Sequence, residues 1–293
     1  MTPAARPRRS ALYMPGSRAR ALEKARSLPA DALILDLEDA VGPTEKDAAR
    51  RLVAEALRAG GFGPREVTVR INALDTPWGR DDVAAVADAG ANAIVLPKVN
   101  SAEDLQELST ALDGHGAPAE TALWAMMETP FGVLSAREIA AHPRLECLVM
   151  GANDLVKELG AEHTEGRQEV LPALGLCLLA ARAHGLAILD GVYNAYQDLD
   201  GLRASCRQGR ALGFDGKTLI HPDQLAVTNE VFAPSEADLA LARRQLAAWE
   251  ETRAKGEAVA VVDGRIVENL HVETARALIA KAEAIAKLEA AAG

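Results

Sequence analysis

Short, continuously apolar segments recur along the chain, and segments with the periodicity of amphipathic helices separate them. Continuous apolar runs are typical of strands that are covered on both faces, as in a parallel α/β sheet. The pattern predicts eight such strands, at 10–14, 32–37, 67–71, 93–97, 121–127, 145–150, 186–190 and 216–220. Helical spacing occurs between them, for example at 45–59, 102–112 and 170–184.

The alternation of eight strands with helices predicts a (β/α)8 TIM barrel as the fold class. A doubly wound open sheet is the alternative. No Gly-x-Gly-x-x-Gly follows the first strand, and this weakens a dinucleotide-binding version of the open sheet. Residues 1–230 are therefore predicted to form a catalytic barrel domain.

The pattern changes after the eighth strand. Residues 231–293 predict a helix from 235 to about 255, a hairpin over 258–267 with Asp263-Gly264 at its turn, and a last helix over 272–292. This helix–hairpin–helix extension is too small to be an independent enzyme domain. We expect it to pack over the barrel mouth of the same or a neighbouring subunit.

Composition narrows the class of partner. The chain has 293 residues, 49% of them hydrophobic, which favours a globular fold, and its formal net charge of −10 argues against a nucleic-acid partner. Three widely spaced cysteines predict buried or free thiols rather than a zinc site or a disulfide framework. No apolar run approaches the roughly 20 residues of a membrane span, and the amino terminus lacks the apolar core of a signal peptide. We therefore expect a cytoplasmic protein with no membrane partner.

Polar residues follow the predicted strands, where a barrel would bring them to one mouth. They are Glu38, Asp39, Arg70, Asn72, Lys98, Glu128, Asn153, Asp154, Asp190 and His221. Acids, a cation and amides around one opening suit a metal-assisted reaction on an anionic carbonyl compound. Glu128 and Asp154 suit Mg²⁺, which keeps several waters, although each acid also suits the cap of a following helix.

Arg70 has two interpretations as well. Its guanidinium suits a substrate carboxylate or an enolate oxygen, and it equally suits a structural ion pair with Glu38 or Asp39. For Lys98 and Lys217, solvated side chains are favoured over phosphate ligands.

Several motifs resemble the citrate lyase beta-subunit (CitE-like) family of the HpcH/HpaI aldolases, in the phosphoenolpyruvate/pyruvate-type barrel superfamily. The matching segments are LYMPG at 12–16, ALILDLEDAV at 32–41, VRIN at 69–72, METP at 127–130, GANDL at 151–155 and FDGKTLIHP at 214–222. They occur in the family's order, and the resemblance runs from about residue 8 to the end of the chain.

The resemblance implies a (β/α)8 barrel that binds Mg²⁺, with Mn²⁺ as a substitute ion, and acts on acyl-CoA thioesters. By motif, Glu128 and Asp154 correspond to the metal ligands, Arg70 to the substrate-contacting arginine, and Glu38 and Asp39 to the acidic pair that shapes the site. Substrate contacts are expected at Arg70, Glu128, Gly151, Ala152 and Asn153. The family also implies a homotrimer or homohexamer.

One departure from the family pattern concerns the proton donor. Many relatives carry Asp-Gly-Lys-Met-Val-Asp-x-Pro in the C-terminal segment, and their second Asp acts as an acid/base. Here the run is DGRIVENL at 263–270, with Glu268 in place of that Asp and Leu270 in place of the Pro. We expect Glu268 to take the catalytic role, with its carboxyl group displaced by about one bond length, on the order of 1 Å.

The leading functional prediction is a Mg²⁺-dependent carbon–carbon lyase that cleaves a citryl-, malyl- or citramalyl-CoA type of substrate to acetyl-CoA and a 2-keto acid. The first alternative is a malyl-CoA-type thioesterase or a CoA-independent 2-keto acid aldolase. The second is a ligand-binding subunit of a larger lyase complex.

Overall fold

A closed parallel barrel forms the larger of two compact units in the computed structural model, which describes residues 6–254, 256 and 259–292. The larger unit spans residues 8–232, and the smaller one contains residues 233–291. Each barrel strand pairs in parallel with the next, and the eighth pairs with the first. The strands are β1 (Ser10–Pro15), β2 (Ala32–Asp36), β3 (Glu66–Arg70), β4 (Ala93–Leu96), β5 (Ala122–Met127), β6 (Leu145–Met150), β7 (Ala187–Asp190) and β8 (Gly216–Leu219). The TIM-barrel prediction is confirmed, and the open-sheet alternative is wrong.

Helices cover the outside of this barrel. They are α1 (Ala19–Ala25), α2 (Lys46–Ala59), α3 (Gly79–Val86), α4 (Ala102–Gly114), α5 (Pro130–Leu134), α6 (Ala136–Ala140), α7 (Ala152–Leu159), α8 (Leu171–Ala183), α9 (Leu199–Leu212) and α10 (Leu225–Phe232). The apolar runs became strands because each is buried on both sides, by the helices outside and by the barrel interior inside.

The barrel interior is closed at its amino-terminal end. Small side chains from several strands leave room there for Trp124, which is fully buried. The Arg8 guanidinium lies 5.2 Å from the centre of the Trp124 ring, and its Nε donates to Glu66 Oε2 at 2.6 Å. Because side chains fill this end, space for a substrate remains at the carboxyl ends of the strands.

The smaller unit contains α11 (Glu236–Ala254), β9 (Ala260–Val262), β10 (Arg265–Val267) and α12 (Asn269–Ala292). The two strands form an antiparallel hairpin. Asp263 and Gly264 occupy its turn with φ values of 52° and 73°, the left-handed backbone that a two-residue type I′ turn requires. The helix–hairpin–helix prediction is confirmed here, except at residues 255 and 258, which lie outside the described residues. Packing over a barrel mouth stays a prediction.

Two further expectations concern the whole chain. Cys147, Cys177 and Cys206 are free and buried, as predicted. Within the described ranges, no helix is both long and apolar enough to cross a membrane.

Candidate active site

A cavity of about 270 Å³ opens at the carboxyl ends of the barrel strands. The residues predicted for the site that line it are Asp39, Arg70, Glu128, Gly151, Ala152, Asn153 and Asp154. Residues that the sequence did not single out complete the wall, among them Tyr13, Asp36, Met126, Val192, Asn194 and Ile220. Barrel closure therefore brings together side chains that are far apart in the chain.

Arg70, the last residue of β3, is held by acids on two sides. Its Nε donates to Asp36 Oδ1 at 2.7 Å and its Nη2 to Asp36 Oδ2 at 2.6 Å, while Nη1 lies 2.7 Å from Glu38 Oε2. Burial opposes the guanidinium charge, but Asp36 and Tyr13 outweigh burial and raise the pKa of Arg70 well above its usual value. The structural ion pair predicted with Glu38 is confirmed, and Asp36 is an additional partner that the sequence did not reveal.

The acidic pair after β2 divides into a buried and an exposed member. Glu38 is buried between Arg70 and Lys98, whose Nζ donates to Glu38 Oε1 at 2.9 Å. Burial raises the pKa of Glu38 although both cations oppose that shift. The side chain of Asp39 is 64% exposed and lies 3.6 Å from Arg70 Nη1. Of the two acids, only Asp39 lines the cavity.

Lys46 keeps this acidic segment in place. Its Nζ donates to the carbonyl oxygens of Leu37 and Glu38, both at 2.8 Å, and to Asn72 Oδ1 at 2.7 Å. The fixed segment presents Glu38 to Arg70 without relying on loop flexibility.

Glu128 follows β5 and is almost fully buried, with 1% of the residue exposed. Its Oε1 accepts a hydrogen bond from the backbone N–H of Lys98 at 2.7 Å. Its Oε2 lies so close to Gly151 that a Cβ atom on that glycine would be 2.3 Å away. Burial first, and then the charges of Glu38 and Asp154, raise the pKa of Glu128 to about 7.

Asp154 lies in the first turn of α7, and its charge acts on Glu128 across the same cavity. Gly151 is the N-cap of α7, and Thr129 is the N-cap of the helix after Glu128. The helix-cap alternative is therefore wrong for both acids.

The two carboxylates fit a divalent cation. They repel each other in a partly desolvated cavity, and a cation between them would remove that repulsion. Within the part of the chain that the structure describes, no group of three His, Cys, Asp or Glu side chains forms a metal cluster. Mg²⁺ needs no such cluster, because it is commonly held by one or two carboxylates and several waters.

A pair of amides forms the wall beside α7. Asn153 Nδ2 donates to Asn194 Oδ1 at 3.1 Å, and Asn194 Nδ2 donates back to Asn153 Oδ1 at 2.9 Å. The reciprocal pair joins the first turn of α7 to the loop after β7. Asn194 lies in an irregular loop and had no sequence signal of its own.

The two lysines that were expected to be solvated differ in their exposure. Lys217 is fully buried on β8, and its Nζ donates to Asp190 Oδ2 at 2.8 Å. Lys98 is half exposed but bonded to Glu38. The prediction for Lys217 was wrong because a periodicity argument cannot show a buried partner on a neighbouring strand.

Glu268 belongs to the smaller unit and is exposed. Its backbone N–H donates to His271 Nδ1 at 3.1 Å. Its role as a proton donor stays a prediction.

A closed barrel with a polar cavity at the carboxyl ends of its strands defines the chain as a TIM-barrel enzyme. The chain belongs to the HpcH/HpaI aldolase/citrate lyase family, whose profile matches residues 9–222. This membership confirms the resemblance that the motifs indicated.

Individual relatives sharpen the comparison. The chain is 58% identical over 286 residues to a (3S)-malyl-CoA thioesterase of Cereibacter sphaeroides, covering 98% of each protein. It is 37% identical over 284 residues to the citrate lyase subunit beta of Escherichia coli, covering 95% of this chain and 94% of that protein. Among solved structures, CitE of Mycobacterium tuberculosis in complex with magnesium, acetoacetate and coenzyme A matches with a TM-score of 0.79 and 33% identity, over 96% of this chain and 99% of that one. These relatives support the thioesterase alternative better than the leading lyase prediction.

Proposed function

We propose that this enzyme is a Mg²⁺-dependent thioesterase that hydrolyses a malyl-CoA type of substrate to the free hydroxy acid and CoA. The observation that carries the proposal is one cavity that holds Glu128, Asp154 and Arg70 together. Similarity to the (3S)-malyl-CoA thioesterase supports hydrolysis as the outcome.

Glu128 and Asp154 would hold the Mg²⁺ ion. When bound, the ion supplies Lewis acidity and a template for the carboxylate and hydroxyl of the acyl group. The magnesium in the related CitE structure supports this assignment.

Arg70 stabilises the charge that develops on the thioester oxygen. Asp36 and Glu38 fix the guanidinium through three of its nitrogens, and an arginine carries five N–H groups, so donors remain for the substrate. Because these partners hold Arg70 in place before the substrate arrives, little reorganisation is needed as the oxyanion forms.

The amino-terminal end of α7 binds the substrate carboxylate. Its backbone N–H groups at Ala152 and Asn153 lie along the cavity wall, where the helix dipole favours an anion, while the N–H of Gly151 donates to the Met127 carbonyl at 3.1 Å. Asp39, the exposed acid beside Arg70, accepts a proton from the attacking water. Glu268 supplies a further acid/base group from the C-terminal extension.

A carbon–carbon lyase of the same substrates is the second candidate. The relationship to the citrate lyase subunit beta favours it. The chemistry is close, because an enolate oxygen in cleavage and a tetrahedral oxyanion in hydrolysis develop on the same thioester carbonyl. Arg70 suits both.

Product analysis separates the two candidates. The pure protein is incubated with (3S)-malyl-CoA and Mg²⁺, and malate, free CoA, glyoxylate and acetyl-CoA are quantified by liquid chromatography and mass spectrometry. Hydrolysis gives malate and CoA in equal amounts, whereas cleavage gives glyoxylate and acetyl-CoA. The Glu128→Gln variant serves as the matched control. Glyoxylate with intact acetyl-CoA as the main products would overturn the thioesterase proposal in favour of the lyase.

A further inference from the structure

Lys98 has a backbone conformation that lysine seldom adopts. It lies two residues after the end of β4 and has a φ of 52°, in the left-handed region. Side chains with a Cβ atom are disfavoured there, and such residues are concentrated at functional sites.

This conformation removes one backbone donor from the sheet. Strands β4 and β5 pair in regular register up to Leu96 and Ala125. The N–H of Val99 again donates to β5, at the carbonyl of Met126, with a distance of 3.4 Å. Between these points, the N–H of Lys98 turns to Glu128 Oε1 at 2.7 Å.

The carboxylate of Glu128 is thereby confined from two sides. Lys98 binds Oε1, and the bare Cα of Gly151 lies against Oε2, where no side chain would fit. One orientation of the carboxylate satisfies both contacts.

The side chain of Lys98 makes a second, separate contact. Its Nζ donates to Glu38 Oε1 at 2.9 Å, and Glu38 Oε2 faces Arg70 Nη1 at 2.7 Å. Lys98 thus connects two residues of the cavity wall: it binds Glu128 through its backbone, and it reaches Arg70 through Glu38. With 42% of its side chain exposed, Lys98 gains little from burial, so these contacts are its main constraint.

We propose that Lys98 is a positioning residue with two separable parts: its left-handed backbone aims Glu128 at the divalent cation, and its ammonium holds Glu38 beside Arg70. The inference rests on the proposed function because it takes Glu128 as a ligand of Mg²⁺.

Substitutions at this position separate the two parts. Lys98→Gly keeps the left-handed backbone and its N–H but removes the ammonium. Lys98→Val removes the ammonium as well, and its branched Cβ also disfavours the left-handed backbone. We expect Lys98→Gly to bind Mg²⁺ within about threefold of the wild-type Kd, and Lys98→Val to bind it at least about tenfold more weakly. Isothermal titration calorimetry with Mg²⁺ alone measures both.

The turnover rate of the Lys98 variants tests the role of the ammonium group. Lys98→Gly should lower kcat for malyl-CoA by about tenfold or more, and Lys98→Arg, which restores a cation, should recover part of that loss. A wild-type kcat and KM in Lys98→Gly would overturn this half of the inference.

The controls address strain and folding. Asp263 has the same φ of 52° in the other unit, and Asp263→Val should leave Mg²⁺ affinity unchanged. If Lys98→Val does not fold, the pair Lys98→Asn and Lys98→Ala repeats the comparison with less strain, and the Asn variant should bind Mg²⁺ more tightly than the Ala variant.

Equal Mg²⁺ affinity across all folded variants would overturn the proposed role of the Lys98 backbone. A wild-type protein that binds Mg²⁺ but does not turn over malyl-CoA would instead refute the proposed substrate. The order of Mg²⁺ affinities among the Lys98 variants would then still test the role of Lys98.

Discussion

Asp190 and Lys217 face each other on neighbouring strands, and their ion pair is completely buried. Arg167 adds a second cation, with Nη1 at 2.6 Å from Asp190 Oδ1. Burial alone would raise the pKa of Asp190, but Lys217 and Arg167 outweigh it and lower that pKa. The network fixes the wall between β7 and β8, where Thr218 turns into the cavity.

Removing one partner of this network should destabilise the fold. Lys217→Met leaves the Asp190 carboxylate buried with one cation fewer, and we expect the free energy of unfolding to fall by about 3 kcal/mol. Urea denaturation followed by circular dichroism measures the loss. Lys157→Met, at an exposed lysine, is the control and should change stability by less than about 0.5 kcal/mol. A loss of similar size in both variants would contradict the role of the network.

Mg²⁺ affinity should depend on pH through Glu128. Its raised pKa of about 7 means that, without metal, the folded protein binds a proton that the unfolded chain releases at lower pH. Protonation of Glu128 therefore stabilises the metal-free folded state. This stabilisation is fully present below the pKa of Glu128 in the unfolded chain, and it is lost as the pH rises through about 7. Because Mg²⁺ competes with the proton, we expect its apparent Kd to be about tenfold weaker at pH 6 than at pH 8.

Calorimetry in buffers of different ionisation enthalpy should show proton release on Mg²⁺ binding at pH 6. The Glu128→Gln variant has no carboxylate to titrate and should bind weakly at both pH values. A pH-independent Kd in the wild-type protein would be inconsistent with Glu128 as a ligand.

Arg70→Lys should abolish most turnover while leaving Mg²⁺ affinity unchanged. An ammonium cannot engage Asp36 through two parallel hydrogen bonds and still present donors to the substrate. We expect kcat to fall by about a hundredfold or more. Steady-state kinetics and Mg²⁺ titration of the same sample separate the two effects, and a parallel loss of Mg²⁺ binding would assign Arg70 a structural role instead.

Gly151→Ala should disturb the carboxylate of Glu128. The new Cβ would lie 2.3 Å from Oε2, so the carboxylate or the start of α7 must move. We expect both Mg²⁺ affinity and kcat to fall by about tenfold or more. Gly175→Ala is the matched control, because open space surrounds that helical position, and it should stabilise the fold by about 0.5–1 kcal/mol without a kinetic effect.

Glu268 is tested by removing and by shortening its carboxylate. If it transfers a proton, Glu268→Gln should lower kcat by about a hundredfold at unchanged Mg²⁺ affinity. Glu268→Asp, which restores the residue common in the family, should retain more activity than the amide. Glu273→Gln, at an exposed acid in α12, the helix that begins directly after Glu268, is the control. Wild-type kinetics in Glu268→Gln would exclude the proposed role.

The local order of the elements followed from the sequence. Runs buried on both faces, such as 145–150, predicted a strand with the observed bounds, and Asp263-Gly264 predicted the hairpin turn. Strand number then implied a barrel, and barrel geometry implied that Arg70, Glu128 and Asp154 meet. These features depend on periodicity and turn chemistry, which act over a few neighbouring residues.

The partners within the site depended on the tertiary structure. Asp36 binds Arg70 because the two residues pair across β2 and β3, a register that no single segment specifies. Lys217 is buried because a neighbouring strand supplies Asp190. The backbone N–H of Lys98 donates to Glu128 because Lys98 adopts a left-handed conformation just after β4. The sequence by itself thus determined which elements form and that Arg70, Glu128 and Asp154 meet at the mouth. Only the closed barrel decided which charges are paired and which way each carboxylate points, since burial and register are properties of contacts between distant residues.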